Sequence, residues 1–471
     1  MRPPTQFSLL ALLLLLRIGA ATAADPFGTE ALAAAGPGDS LAGTLQSACR
    51  TVASKGPLTL AEVVDFALCN NPQTRLAWAN ARVQAAQVGV VRSAYLPSLS
   101  LGAGRSRNST DSGASIHYNQ TSGALSASYL LYDFGGRAAT LENARQLMAA
   151  LTATQDATLQ AVFLAAVQDY YQWFAYEAAV AAARESEQAS AESLKAAEAR
   201  YRVGTGTPAD RLQAQTAASQ ATLVRIQAEG NARTALGVLA NAMGLDAQEA
   251  PTFAPPGETV PDAAFARDLN DLIAAAKRAR PDLIAAEAQL QGARASIEVA
   301  RAAGMPSISL TAGKSYSDMD ALGTTRGSSV GVTLSIPLFT GFSNTYQVRS
   351  AQSQMEAKAA QRDQLAKQVS LDVWRAYYAL TTSGESVRAS ADLVASADAS
   401  AKVATGRYKA GVGGILDLLN AQSALASARQ QSIQAQYNWR IAKAALAQAM
   451  GQIGFDQIEA ANPPPPRAAP P

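Results

Sequence analysis

The chain has 471 residues, with 39 basic against 37 acidic side chains, one histidine and two cysteines. Near-neutral charge leaves no electrostatic case for nucleic acid, and one histidine with two cysteines makes a poor metal set. No Gly-x-x-x-x-Gly-Lys segment offers a phosphate cradle, so no cofactor is expected and any ATP must be used by a partner.

Residues 1–23 read as a secretory signal. Arg2 supplies the positive end, Leu9–Leu16 the apolar stretch, and Ala21-Thr22-Ala23 a small-residue cleavage site. Loss of Arg2 and Arg17 leaves 37 basic and 37 acidic residues. No later stretch has the ~18 consecutive apolar residues of a transmembrane helix. Apolar residues still make up 48% of the chain and aromatics only 6%, a balance suited to long, thin helix packing.

Residues 24–57, rich in Ala, Gly, Ser and Pro, read as an irregular arm. The arm holds Cys49, and Cys69 lies in the helical segment beyond it. In an oxidising compartment the two are expected to form a disulfide that staples the arm to the first helix; two free thiols are the alternative. The arm also spells Gly38-Asp39-Ser40-Leu41, a hydrolase-like string with no histidine near it, and no catalytic residue is expected.

Asn70-Asn71-Pro72 suits a helix restart, with Asn as cap and Pro in the first turn. The helical stretch runs to about Tyr95 and stops at Pro97. Then the period changes to two. Ser98 to Ala103 and Leu125 to Leu131 alternate apolar with small polar residues, with a polar loop holding Asn108, Asp111, His117 and Asn119 expected between them. Ile308–Ala312 and Val330–Ile336 repeat the pattern. Such alternation marks a strand with one lipid face and one wet face, or a half-buried strand of a soluble sheet. Tyr129, Tyr132 and Phe339 near strand ends suit either an interfacial aromatic girdle or ordinary packing.

A proline-free helical run follows Gly135-Gly136 to about Tyr201, roughly 100 Å at 1.5 Å per residue. A glycine turn comes next, Gly204-Thr205-Gly206-Thr207-Pro208, and then a shorter helical run to Met243. Residues ~245–267, with four prolines, link to a second set, and residues 452–471 form a Pro-rich tail. The second set copies the first. Tyr170-Tyr171 returns as Tyr377-Tyr378, Arg200-Tyr201-x-x-Gly204 as Arg407-Tyr408-x-x-Gly411, Asp210 as Asp417 and Met243-Gly244 as Met450-Gly451. The repeats are assigned as 58–244 and 268–451, each with a helix, a hairpin (~98–132 and ~307–338), a long helix and a short helix. In each copy the long helix is expected to lie beside two short ones. The second turn is Gly411-Val412-Gly413-Gly414.

Two hairpins give four strands, and four strands cannot close in lipid, where open edges are forbidden. Two chains would give eight strands with a filled interior, and three chains twelve with a lumen.

The duplication resembles the TolC-like outer membrane factor family over residues ~59–451. So do the Leu96-Pro97-Ser98 and Met305-Pro306-Ser307 steps, Tyr132-Asp133-Phe134-Gly135-Gly136, the two Arg-Tyr-x-x-Gly turns and Ile415-Leu416-Asp417-Leu418-Leu419. The resemblance implies a mainly α protein with a membrane β-barrel: a homotrimer in outer membrane lipid, with a 12-stranded barrel and an α-helical coiled-coil tunnel in the periplasm. It implies a passive exit duct docked by a periplasmic adaptor and an inner-membrane pump. The segment Ala67-Leu68-Cys69-Asn70-Asn71-Pro72-Gln73-Thr74 is similar to the outer membrane partners of toxin-type ABC exporters, which implies type I secretion. A proton-driven small-molecule efflux pump is the second reading, and a trimeric structural or adhesive coiled coil the third.

The same resemblance implies a periplasmic gate. Asp210 and Tyr408 match one linking pair, and Asp417 matches a carboxylate ring. Gly413 stands where the family has an arginine, and Asn420 where it has a second acid. Gly204, Gly206, Gly411, Gly413 and Gly414 form the gate turns. Spacing alone gives a second role: Thr207-Pro208-Ala209-Asp210 is a good helix start, and Asp417 in a first turn offsets the helix dipole.

Overall fold

The computed structural model describes residues 25–40, 49, 56–111, 115–257, 268–320 and 323–452. The expected signal, residues 41–48 and 50–55 of the expected arm, residues 258–267 of the linker and all of the tail beyond Gln452 lie outside the described residues.

The elements come in two matching sets. The first is α1 (Leu60–Asn70), α2 (Pro72–Ser93), β1 (Ser98–Asp111), β2 (Ser115–Tyr132), α3 (Gly136–Arg202) and α4 (Pro208–Ala242). The second is α5 (Leu269–Ala279), α6 (Pro281–Ala302), β3 (Ser307–Met319), β4 (Gly323–Ser335), α7 (Ser343–Lys409) and α8 (Ile415–Ala449). The long helices α3 and α7 have 67 residues each, and α4 and α8 have 35 each. No described helix is long and apolar enough to cross a membrane.

Local chemistry sets the helix ends. Thr59 caps α1 in a reciprocal box with Glu62. The break between α1 and α2 falls at Asn71, whose Oδ1 accepts from the Gln73 N–H at 2.8 Å and whose Nδ2 donates to the Ala242 carbonyl at 3.0 Å. The α4 helix ends on Gly244 at φ +76°, where a Cβ would lie 2.6 Å from the Asn70 carbonyl oxygen. Its counterpart Gly451 sits at φ +69°, and a Cβ there would lie 2.9 Å from the Ala279 carbonyl oxygen. In both copies, then, left-handed backbone and close approach to the helix break require glycine.

Among the described residues four strands form one antiparallel sheet in the order β1-β2-β3-β4, with no further strand on the outer edge of β1 or β4. The strands run further than the apolar alternation suggests. Asn108 pairs with Tyr118 and Ser109 with His117, so the expected polar loop shrinks to the residues between Asp111 and Ser115. Backbone pairing does not require apolar side chains, so the ladder continues past the point where the sequence pattern turns polar. A bulge between Leu130 and Tyr132 brings Tyr132 opposite Ile308, which places it on the same face as Leu310.

The chain divides into two compact units: 1–33, 80–151 and 287–360; and 34–79, 152–286 and 361–471. In the first, Ala81, Ala85 and Val88 of α2 pack on Ala144 and Met148 of α3, with Ala33 of the arm. The second holds four clusters. Val64, Ala67 and Leu68 of α1 meet Leu159, Val162, Phe163 and Val167 of α3 and Ala444 of α8. Leu272 and Ala276 of α5 meet Val369 and Val373 of α7. Tyr170 meets Leu239, Met243 and Phe253, and the two glycine turns share the last cluster.

The described stretch of the arm, residues 25–40, is docked on the helices. Ser40 Oγ donates to the Asp156 carboxylate at 2.7 Å, so the serine of the hydrolase-like string is a structural tie to α3. The Trp78 indole N–H donates to the Ala34 carbonyl. Cys49 and Cys69 are joined as a disulfide, 20 positions apart in sequence.

Candidate functional site: the sheet faces and the paired turns

Opposite residues in an antiparallel sheet point to the same side, so the register sorts the side chains into two faces. One face carries Leu99, Ala127, Ala312 and Val330 in one row, and Leu101 and Leu125 in the next. Tyr129, Leu310 and Val332 form another row, and Ile308, Leu334 and Tyr132 the one nearest the helices. These groups are open: Val330 is 80% exposed, Leu99 74% and Val332 66%. So wide an exposed apolar surface marks an interaction site.

The other face carries Ser98, Ser100, Ser126, Ser128, Thr311, Ser315, Ser317, Ser329 and Thr333 among glycines. Among the described residues it holds no charge. Its hydroxyls and amides bond to one another: Ser100 Oγ to Ser126 Oγ at 2.6 Å, and Gln120 Nε2 to Ser317 Oγ at 2.9 Å.

Where strand passes to long helix, both copies use left-handed backbone at two successive positions. These are Phe134 and Gly135 in the first copy, and Gly341 and Phe342 in the second. Phenylalanine at positive φ is disfavoured. Both rings are exposed and edge-stacked, Phe134 on Tyr132 at 4.8 Å and Phe342 on Phe339 at 5.5 Å. These aromatics sit at the helix end of the apolar face. The left-handed backbone at Phe134 and Phe342 gave no sequence signal, because periodicity carries no information about φ; Phe134 entered the sequence reading only as part of Tyr132–Gly136.

The turns between long and short helices are built alike and then diverge. Gly204 (φ +78°) and Gly411 (φ +81°) end α3 and α7 with the paired bonds of a Schellman motif: Gly204 N to Tyr201 O with Thr205 N to Arg200 O, and Gly411 N to Tyr408 O with Val412 N to Arg407 O. Gly206 and Gly413 run close to the backbone of the preceding helix; a Cβ at Gly413 would lie 3.2 Å from Tyr408 N. In the first turn Thr207 and Asp210 form a reciprocal capping box with Pro208 in the first helical turn. In the second, Gly414 is the N-cap and makes no side-chain bond.

The two acids therefore differ. Asp210 is half-buried and holds the Thr207 N–H, while Asp417 is exposed and makes no hydrogen bond or ion pair among the described residues. Asn420 is exposed one turn further along α8. Tyr408 is buried beside Ala197, Ala214, Ile415 and Leu418. Among the described residues no hydrogen bond joins Asp210 to Tyr408, although Tyr408 packs on Ala214, one turn along α4 from Asp210.

Arg200 is the residue the sequence left without a role. Its Nη2 donates to the Tyr408 carbonyl at 2.6 Å, and its guanidinium lies 4.3 Å from the centre of the Tyr408 ring. Its counterpart Arg407 is exposed. The string Arg-Tyr-x-x-Gly occurs in both copies, so sequence could not tell which arginine crosses to the other turn.

An exposed apolar sheet face backed by an uncharged one is the arrangement a membrane β-barrel protein requires. The family model for outer membrane efflux proteins matches residues 63–245 and 272–452, and the chain belongs to that family. It is 33% identical over 408 residues to Protein CyaE of Bordetella pertussis, covering 85% of this chain and 86% of that one. It is 28% identical over 420 residues to the outer membrane efflux protein BepC of Brucella suis, covering 86% and 88%. Among solved structures, a membrane protein from Pseudomonas aeruginosa matches with TM-score 0.76 and 25% identity, over 83% of this chain and 93% of that one. The open-state MtrE outer membrane channel of Neisseria gonorrhoeae matches with TM-score 0.72 and 25% identity, over 84% and 90%. The chain is accordingly an outer membrane transport protein.

Proposed function

We propose that three copies of this chain close a twelve-stranded barrel and form the passive outer membrane duct of a tripartite type I secretion system. Its partners in that reading are a periplasmic adaptor and an inner-membrane ABC exporter. The observation that carries the duct is the sheet itself, with two open edges, one exposed apolar face and one charge-free hydroxyl face. Open edges in lipid demand strand partners. A charge-free wall neither traps nor repels acidic or basic segments, which suits an extended polypeptide. The secreted-protein reading is further supported by the Ala67–Thr74 segment, which resembles the outer membrane partners of toxin-type ABC exporters. Several relatives carry efflux in their names, such as the toluene efflux pump outer membrane protein TtgF of Pseudomonas putida at 29% identity over 415 residues. Small-molecule efflux is therefore the second reading.

Internal duplication also supports a ring. In the first copy Val167 lies in a buried cluster that includes Ala444 of α8 in the second, and Arg440 of α8 lies over the Tyr171 ring at 5.6 Å. The equivalent face of α7 is bare: Trp374 is 49% exposed and Tyr378 46%. The element that would cover it by the same rule is α4 of another copy, whose Arg233 stands where α8 has Arg440. Such a head-to-tail contact generates a closed ring when the rotation fits. Gate roles for Asp210, Tyr408, Asp417, Asn420 and the glycine turns belong to this proposal, with Asp417 as its free carboxylate ring.

The test is a paired cysteine variant, Arg233→Cys with Trp374→Cys, oxidised in outer membranes. A covalent trimer ladder that needs both cysteines is expected, together with export of a reporter passenger when the adaptor and exporter are supplied. Monomer only, or a ladder stopping at dimer, would overturn the three-copy ring. Efflux of dyes without passenger export would favour the second reading.

A further inference from the structure

The two ends of the apolar face differ in charge. The helix end carries Tyr132, Phe134, Phe339 and Phe342, and Arg137 just beyond Phe134 is paired with Asp133. The hairpin end is cationic. Lys314 shares a row with Leu101, Leu125 and Ser328, and Arg326 pairs with Tyr316 in the next row. Arg105 follows, and Arg107 lies one row beyond it. All four are exposed and none makes an ion pair among the described residues. The Arg326 guanidinium lies 5.9 Å from the Tyr316 ring centre. Three acids share this end: Asp318 accepts from Thr324 Oγ1 at 2.7 Å, Asp320 accepts from Asn119 at 2.9 Å, and Asp111 stands at the end of β1, two rows beyond Arg107. Asp318 shares Arg105's row but stands two strands away.

Depth turns this asymmetry into a site. The strand from Ile336 to Arg326, at about 3.4 Å per residue and a tilt of about 40°, rises roughly 26 Å, close to the ~25 Å apolar band of outer membrane barrels. The cations therefore fall at the upper edge of the band, and Lys314, one row inside it, must snorkel outward.

Resting on the duct reading above, which sets this face toward lipid, we propose that Arg105, Arg107, Lys314 and Arg326 form a belt that binds the phosphate groups of anionic lipid in the outer leaflet. Guanidinium and ammonium groups bond phosphate oxygens directly, and Tyr316 supplies the amphipathic ring typical of that depth. The belt replaces divalent cations as counter-charge.

The test uses the full chain in nanodiscs doped with bis-phosphorylated lipid A or its dephosphorylated analogue, with retained lipid counted by native mass spectrometry. The wild type is expected to retain the phosphorylated form about tenfold better, and EDTA should not change this. The triple variant Arg105→Gln, Lys314→Gln, Arg326→Gln should lose the preference, and Lys314→Arg should keep it. Equal retention of both lipids by the wild type would overturn the belt, as would a preference surviving in the triple variant. Loss of the preference in EDTA would assign it to metal bridging. Displacement by millimolar inorganic phosphate would assign it to a free-anion site. Either result would also overturn the belt. Conductance of the same samples separates the two readings: pores without lipid preference sink only the belt, whereas no pores sink the duct. Should the triple variant fail to insert, the two-lipid comparison on the wild type still decides.

Discussion

The two copies share a scaffold and split their duties. Both end the short helix on a glycine jammed against the preceding helix break, and both end the long helix in a Schellman turn. They differ in what holds the turn. The first is closed on itself by Thr207, Pro208 and Asp210. The second has glycine at its cap and is held from outside by Arg200 of the first. Duplication supplied the frame, and divergence made one turn self-sufficient and the other dependent. The second turn is the one we expect to move if the duct opens.

The widest effects should come where the copies agree. Gly244→Ala and Gly451→Ala each force a Cβ into backbone at positive φ and should cost about 2–4 kcal/mol. Thermal unfolding should fall in both. Tolerance in one copy alone would break the equivalence of the two helix breaks.

At the same breaks the copies differ in charge. Arg280 is largely buried and bonds both Asp282 and Asp372. The first copy has Asn71, Gln73 and Ala165 at these places. Arg280→Ala should cost about 2–3 kcal/mol by leaving two acids unpaired, against about 1 kcal/mol for Asn71→Ala. Denaturant melts of the two variants compare them directly.

Next come the turns. Arg200→Ala removes a charge-assisted bond and a cation–π contact and should cost about 1–2 kcal/mol. Arg407→Ala should stay within about 0.5 kcal/mol. Hydrogen exchange should quicken at Val412–Ile415 in the first variant only. Quickening in both would deny Arg200 its special role.

The smallest expected change is at Asp169, where the second copy has Ala376. Burial alone holds the Asp169 carboxyl above its usual range. A raised carboxyl destabilises the fold above its folded pKa, and the penalty vanishes as pH falls below the unfolded value. Asp169→Ala should therefore gain up to about 1 kcal/mol at neutral pH and nothing at pH 3. An equal gain at both pH values would assign the effect to packing.

Much of this was legible in the sequence. The copy-to-copy matches gave the element order, and Asn71-Pro72, Thr207-Pro208 and the turn glycines fixed helix ends through local chemistry. Strand length was not legible beyond the apolar rows, because the ladder over Asn108–Asp111 and His117–Asn119 needs no apolar side chains. The roles of Arg200 and Trp374 were hidden for the opposite reason. Each has a twin or near-twin in the other copy, and only three-dimensional neighbours tell a covered position from a bare one. The charge-free face emerged once register assigned each serine a side.

The central claim is that the hydroxyl face lines an aqueous passage whose charge selection comes from the second turn. It is tested most directly by single-channel recording in planar bilayers under a salt gradient, on the wild type, Asp417→Asn and Asp210→Asn. A stable cation-preferring pore is expected, with a reversal potential shifted toward zero in Asp417→Asn and little changed in Asp210→Asn. An absent pore, or equal shifts in the two variants, would contradict the claim.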